Sequence, residues 1–369
     1  MEISNNFWKN KNVFLTGHTG FKGSWISIWL SSLGAKVHGY SLSPPTSENL
    51  FTLASLENII STSTIGDIRN FEKLEQAFLI SKADMVLHMA AQPLVRESYI
   101  SPLETIQTNV MGTANLLEVL RKNENSVRAF LNITTDKVYE NREWLWGYRE
   151  NEALGGYDPY SSSKACSELL TSAYRSSFFN PTLISEHNMA IASARAGNVI
   201  GGGDFAVDRL IPDLIRSILN KEKVRIRNPN SVRPWQHVIE PIAGYLMLLQ
   251  KLYEDGASFV GSWNFGPKTK DMIPVIEIVN KFKEIYWRRY QFAVEYEIAN
   301  QIGPHEANFL RLDITKSSTY LSWEPKWSIN TAFEKIIDWM EAHLEKKNIL
   351  NICLRQIEEY MQLETEAKN

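Results

Sequence analysis

The chain has 369 residues, 44% hydrophobic and 22% charged, proportions that allow one large α/β domain or two modest ones with a sizeable core. A net charge of -3, with no lysine or arginine block longer than a pair, excludes the electrostatic footprint of a nucleic-acid or acidic-membrane binder. The polar start Met-Glu-Ile-Ser-Asn-Asn-Phe-Trp and the lack of an apolar run near ~20 residues predict a cytoplasmic protein without signal peptide or membrane span.

In chain order, Val13, Phe14 and Leu15 make a short buried strand, glycines follow at Gly17, Gly20 and Gly23, and Trp25, Ile26, Trp29, Leu30 and Leu33 recur at helical spacing up to Gly34. Glycine in such a turn permits positive φ and close approach of a phosphate, whose charge the free amides of the new helix stabilise. With the next strand beginning at Lys36, this context predicts a dinucleotide site; the plainer alternative is a tight turn with Gly34 as a helix stop. Val37 to Leu42 reads as the second strand, at whose end an NAD site usually carries an acid for the ribose. Here the strand ends Tyr40-Ser41 and the next acid is Glu48, while no arginine precedes Arg69 to meet a 2′-phosphate. NAD is therefore favoured over NADP, and Lys22 and Lys36 are the residues that can overturn that choice.

A strand at Ser63 to Ile65, a helix at Phe71 to Lys82 and a strand at Asp84 to Met89 follow, then Ala90 and Ala91, which leave room for a ring system. Asp67 and Ile68 close the first of these strands; Asp67 is placed either to accept the adenine amino group or to cap the next helix. Helix Pro102 to Lys122 and strand Ala129 to Thr134 complete an alternation that builds a doubly wound parallel α/β sheet with ligands at the strands' carboxyl ends. Beyond that last strand stand Thr135, Asp136 and Lys137, and after a loop Pro159 opens a helix on which Tyr160 and Lys164 are one turn apart. A lysine ammonium beside a phenol favours the phenolate and lowers its pKa from about 10, making a base that works near neutrality.

After a strand at Ala190 to Ala194 and the glycines Gly201 to Gly203, the pattern loosens. Short helices (Arg209 to Asn220, Glu240 to Tyr253, Pro274 to Tyr286) and strands (Val224 to Arg227, Trp263 to Phe265, Phe292 to Glu297) read as a smaller lobe, with a second ligand half expected at the junction. Arg233 is either a diphosphate clamp or a solvated loop arginine, and no His/Cys/carboxylate spacing supports a metal. The expected division is 8–190, 191–345 partly interleaved with it, and a helical tail at 346–369 whose apolar stripe is core packing or a subunit contact. Cys166 and Cys353, both within helical patterns, are expected to be buried free thiols.

Thr16-Gly17-x-x-Gly20-x-x-Gly23 and Tyr160-x-x-x-Lys164 resemble the extended short-chain dehydrogenase/reductase family. Gly17 to Trp25, His88 to Arg96, Thr134 to Tyr139 and Arg233 to Pro241 are similar to its nucleotide-sugar 4,6-dehydratases, in particular the branch that acts on CDP-glucose, over about residues 8 to 340. The resemblance implies a Rossmann-like fold, NAD as cofactor and a CDP-sugar converted to its 4-keto-6-deoxy form by internal hydride transfer, in a homo-oligomer, dimer or tetramer. It implies Tyr160 as the base at the sugar 4-hydroxyl with Lys164 and Thr135 beside it, Asp136 as acid at C6, and Lys137 as base at C5, where sister dehydratases usually have glutamate. A lysine serves as base only when neutral, so its pKa of about 10.4 has to fall. It also implies Gly17, Thr19, Gly20, Phe21, Gly23, Asp67, Ile68, Ala90 and Ala91 on the cofactor, and Gln92, Arg96, Asn198, Arg209, Arg233 and Gln236 on the substrate. A 4-epimerase sharing the turn and Tyr160/Lys164, or a sensor that binds a dinucleotide without chemistry, are the competing readings.

Overall fold

The computed structural model describes residue 3 and residues 5–123, 127–299 and 307–366. Its strands are β1 (Asn12–Thr16), β2 (Lys36–Ser41), β3 (Thr62–Ile65), β4 (Met85–His88), β5 (Ala129–Ile133), β6 (Ala190–Ala196), β7 (Asn198–Ile200), β8 (Val224–Ile226), β9 (Val232–His237), β10 (Gly261–Phe265), β11 (Met272–Pro274) and β12 (Tyr296–Ile298). Seven of them pair in the order β10-β6-β5-β4-β1-β2-β3, all parallel, with Leu15 set between Leu87 and Gly39. Strand periodicity divides the core. Val13, Leu15, Leu87 and Leu131 face one layer, containing the Phe21–Ser32 and Ile239–Glu254 helices, while Phe14, Val86 and Phe130 face the other, containing Phe71–Ser81 and Gly112–Lys122. Both faces are covered, as an all-parallel sheet requires. The chain reverses its direction of winding between β1 and β4, and the cleft above that switch point is where such sheets hold ligands.

The helix expected over 102–122 is interrupted. Pro102–Ile106 and Gly112–Lys122 are α-helical, and Gln107–Met111 between them is a π turn. Its buried Asn109 accepts from Gln92 N (2.8 Å) and donates to Gln92 O (3.1 Å) and Ser163 Oγ (2.9 Å), so the wider turn carries an amide that ties three segments together.

The three-stranded sheet β11-β9-β7 and the pair β12-β8 form the smaller layer, with helices Leu210–Leu219, Val275–Tyr290 and Ile329–Leu344 around a core of its own. The large sheet also takes up later segments of the chain. β10 lies at the edge of the large sheet beside β6, and the Ile239–Glu254 helix packs on β5 and β6, although both had read as pieces of the lobe. That helix is buried on nearly every side, so it has no stripe to say which layer receives it. The Ile349–Glu366 helix packs on Phe21–Ser32 and Ile329–Leu344, placing Tyr360 edge-on to Trp29 at 5.9 Å. Cys353 is buried there, but Cys166, expected to be buried, is exposed. It lies on the outward face of the Pro159–Ser177 helix with Leu169, opposite Ser163, Lys164 and Ser167. Among the described residues no helix is long and apolar enough to cross a membrane.

Candidate active site

At the carboxyl end of β1 the chain turns through Gly17 at φ +81°, and its amide donates to Tyr40 O at 2.9 Å. A Cβ there would come within 2.9 Å of Ala90 N, and one on Gly23 within 2.1 Å of Gly17 O, so turn, β4 end and helix start approach as only glycine permits. The cavity over this turn, about 460 Å³, is lined by Gly17, Thr19, Gly20, Phe21, Gly23, Asp67, Ile68, Ala90 and Ala91. The backbone cradle and the uncapped start of the Phe21–Ser32 helix fit a dinucleotide's diphosphate. At the far end Ser41, Leu42 and Ser43 line the wall, and Thr19 Oγ1 bonds Ser41 Oγ at 2.9 Å. Lys36 begins β2 at the opposite end of the strand from this wall, and Lys22 lines both this cavity and the next one. Asp67 does not cap a helix: Asn70 caps Phe71–Ser81, and Asp67 forms a bidentate pair with Arg69, at 3.0 and 2.6 Å.

A second cavity, about 290 Å³, adjoins the first and is lined by Lys22, Thr135, Asp136, Lys137, Tyr160, Asn198, Arg209 and Arg233. Two elements deliver the reactive groups. β5 ends in a 3-10 turn, Asp136–Val138, and the Pro159–Ser177 helix starts with a capping box in which Asp158 accepts from Ser161 N and Ser161 Oγ accepts from Asp158 N. The cap fixes Tyr160 in the first turn, and Tyr160 N donates to Ser98 Oγ at 3.1 Å. Thr135 Oγ1 donates to Asp136 Oδ1 at 2.9 Å, and Lys137 Nζ stands 6.0 Å from the Tyr160 ring centre.

Burial dominates the electrostatics. It pushes the Tyr160 phenol up to about 12, with a Thr135 hydrogen bond and the Arg209 charge acting against it. Burial likewise pulls Lys164 down to about 7, helped by the nearby Lys22, and Lys164 Nζ donates to Ile133 O at 3.3 Å. The lowering of Tyr160 expected from the Lys164 spacing is thus not found: burial raises the phenol, and the groups that act against it are Thr135 and Arg209. Asp136 is raised by burial against Lys137 and Arg233, which favours its protonated, proton-donating form. Lys22, pulled down to about 8 by burial and by Arg209, joins this cluster; the sequence had marked it only as a possible phosphate reader.

The other expected binding residues divide. Arg209 lines both cavities and pairs with Asp204 at 2.9 Å. Arg96 and Arg227 pair with Asp208 at 3.0 and 2.8 Å on the rim of the second cavity. Arg233, expected as either clamp or solvated loop residue, is buried on β9 and donates to the carbonyls of Val232 and Ala307. Gln92 lines the first cavity instead of the second, its amide folded onto Leu94 and Thr105. Gln236 lines neither; it is buried and donates to Phe265 O at 2.8 Å. Asn109 and the buried Glu168–Arg195 pair gave no local signal in the sequence, since their partners lie on other elements.

Known proteins are similar to this chain in sequence and in fold. The chain is 50% identical over 363 residues to the CDP-glucose 4,6-dehydratase of Salmonella typhimurium, covering 98% of this chain and 99% of the relative. Its fold matches the crystal structure of a dTDP-glucose 4,6-dehydratase from Bacillus anthracis in complex with NAD (TM-score 0.74, 22% identity, 92% of this chain and 99% of that one). It also matches a UDP-glucose 4-epimerase from Thermotoga maritima with UDP-glucose (TM-score 0.75, 22% identity, 90% and 99%). The family model described as GDP-mannose 4,6 dehydratase spans residues 14–336, and on that match and the 50% identical relative the chain belongs to the nucleotide-sugar 4,6-dehydratase family it describes.

Proposed function

We propose that the protein is a CDP-glucose 4,6-dehydratase, converting CDP-D-glucose to CDP-4-keto-6-deoxy-D-glucose and water with NAD. The observation that carries the reading is the meeting of Thr135, Asp136 and Lys137 with Tyr160 in the second cavity, which adjoins the one over the glycine turn. An epimerase has no use for an acid and a base beyond C4. Held over Gly17, Gly20 and Gly23, NAD would supply the hydride acceptor for C4 and the hydride donor for C6. Tyr160 would take the 4-hydroxyl proton as its phenolate, a form that burial alone disfavours and that the positive charge of a bound nicotinamide would favour, with Thr135 bonded to the same oxygen and Lys164 beside the ribose. The resulting ketone acidifies C5–H, which Lys137 removes while Asp136 protonates the departing C6 hydroxyl as water. Lys137 then returns its proton to C5, and the proton held by Tyr160 restores Asp136, so the cycle closes without net redox change.

In this reading residues 8–190 hold the cofactor and 191–345 most of the nucleotide sugar, with Arg96, Arg209 and Arg233 toward the diphosphate and Asn198 toward the sugar. The protein works in the cytoplasm as a homo-oligomer. Ile100, Leu103, Ile106 and Met111, all exposed around the π turn, with Leu169 on the neighbouring helix, supply an apolar face for a second copy. The test is incubation with NAD and separately with CDP-, UDP-, GDP- and dTDP-glucose, following sugar-nucleotide mass and NADH. Loss of one water from the CDP sugar without net NADH is expected; an isomer of unchanged mass would instead mean an epimerase.

A further inference from the structure

Beneath the reactive groups lies a buried charged cluster that takes no part in the chemistry above. Glu168 and Arg195 are each 2% exposed and pair through Arg195 Nε to Glu168 Oε1 (2.9 Å) and Arg195 Nη2 to Oε2 (3.1 Å). Burying two charges costs more desolvation than their attraction returns unless further hydrogen bonds complete them. Here they are completed. Glu168 accepts from Thr134 Oγ1 at 2.6 Å, Ser193 Oγ at 2.5 Å and Ser262 Oγ at 3.2 Å. Arg195 Nη1 donates to Tyr139 OH at 2.9 Å, and that phenol donates to Asn264 Oδ1 at 2.7 Å.

The partners are placed on either side of the chemistry. Thr134 and Tyr139 bracket Thr135, Asp136 and Lys137, while Glu168 lies one helical turn beyond Lys164, itself one turn beyond Tyr160. Apolar packing would hold β5, β6 and the helix together equally well. What the ionic network adds is direction, and an anion near Lys164.

We propose that Glu168, anchored by Arg195, is a positioning residue: it holds the Thr134–Tyr139 segment in register with the Tyr160–Lys164 turn and keeps a negative charge beneath Lys164. The inference rests on the dehydratase reading above, in which Lys164 stands beside the cofactor ribose. The charged groups facing Lys164 are few. Lys22, from the Phe21–Ser32 helix, pushes its pKa down and Glu168 pushes it up, while His88 on β4 is held neutral near 3 by burial.

Two variants separate the two roles. Glu168→Gln removes the charge, and Thr134→Val removes the register hydrogen bond while leaving the ion pair. NAD affinity is measured by tryptophan fluorescence from about pH 6 to 10, with kcat and KM for sugar-nucleotide dehydration and the melting temperature on the same preparations. In Glu168→Gln the alkaline loss of NAD affinity is expected to move down by about one pH unit. In Thr134→Val the profile stays in place, kcat falls ~10-fold through lost orientation with KM unchanged, and Thr134→Ser restores it. A Glu168→Gln profile that superimposes on the wild type, or Thr134→Val with wild-type kcat, overturns the proposal. Should Glu168→Gln fail to fold with Arg195 uncompensated, the valine–serine contrast decides. A wild type that binds NAD but transforms no sugar nucleotide refutes the dehydratase reading instead, and the affinity profiles still decide the charge role.

Discussion

At the scale of single residues the reactive groups are governed by burial before they are governed by one another. Tyr160 is 8% exposed and Lys164 6%, and in so dry a site the neutral forms of both are favoured. Asp136 benefits from the same effect, since a carboxyl raised above its ordinary range still holds the proton that it has to give. Asp136→Asn is expected to slow dehydration roughly 100-fold or more without weakening nucleotide-sugar binding in a direct titration. In the wild type kcat should fall on the alkaline side as Asp136 loses its proton. Lys137→Ala should still allow slow C4 oxidation, seen as NADH absorbance without loss of water; full dehydratase activity would remove Lys137 from the chemistry. The Tyr160–Lys164 spacing was legible in the sequence because both lie on one helix. The raising of the Tyr160 phenol was not, because burial depends on the whole surrounding structure.

At the scale of elements, one buried carboxylate docks the C-terminal helix. Glu240 accepts from the amides of Lys326 (2.8 Å) and Trp327 (2.5 Å) through Oε1, and from Tyr360 OH (2.6 Å) through Oε2. Burial nevertheless raises Glu240 to about 7, above its ordinary 4.5. The folded chain therefore retains a proton that the unfolded chain releases. This contribution is full below the unfolded value and is lost as pH rises through about 7, a loss of roughly 3 kcal/mol. Glu240→Gln should match the wild-type melting temperature at acid pH and exceed it increasingly toward pH ~8; parallel curves would refute the assignment. His18, His88 and His237, lowered by burial, contribute in the opposite sense, losing stability as pH falls, and cancel in the comparison. The apolar stripe from Leu350 to Met361, open between core packing and subunit contact in the sequence, has its partners within the chain: Trp327 and Tyr360 rings lie 5.5 Å apart.

At the scale of the whole molecule, the sheet is completed by a strand that lies in the chain between two stretches of the smaller layer. β10 pairs with β6 about seventy residues later in the chain, and its Asn264 Nδ2 donates to Tyr148 O and Asp313 O, so segments distant in the chain share a hydrogen-bond frame. Relative motion of the parts is limited by that shared frame. The apolar face left outside it is the place to test assembly. Ile100→Glu with Leu103→Glu, 76% and 66% exposed in the chain, should lower the sedimenting mass while leaving the melting temperature of the subunit within about 2 °C; an unchanged sedimenting mass would place the subunit contact elsewhere.

The sequence by itself determined what depends on neighbours in the chain: the glycine turn, the alternation of strands and helices, the position of Tyr160 over Lys164, and the Thr135-Asp136-Lys137 strand end. Those are local, because turn conformation and helical or strand period are properties of consecutive residues. Tertiary structure alone decided which layer the Ile239–Glu254 helix joined, that Gln236 turned to Phe265, that Cys166 faced outward, and that Lys22 met Arg209 and Asp136. Each of these is a contact or an exposure set by residues distant in sequence, and the sequence carries no period that records it.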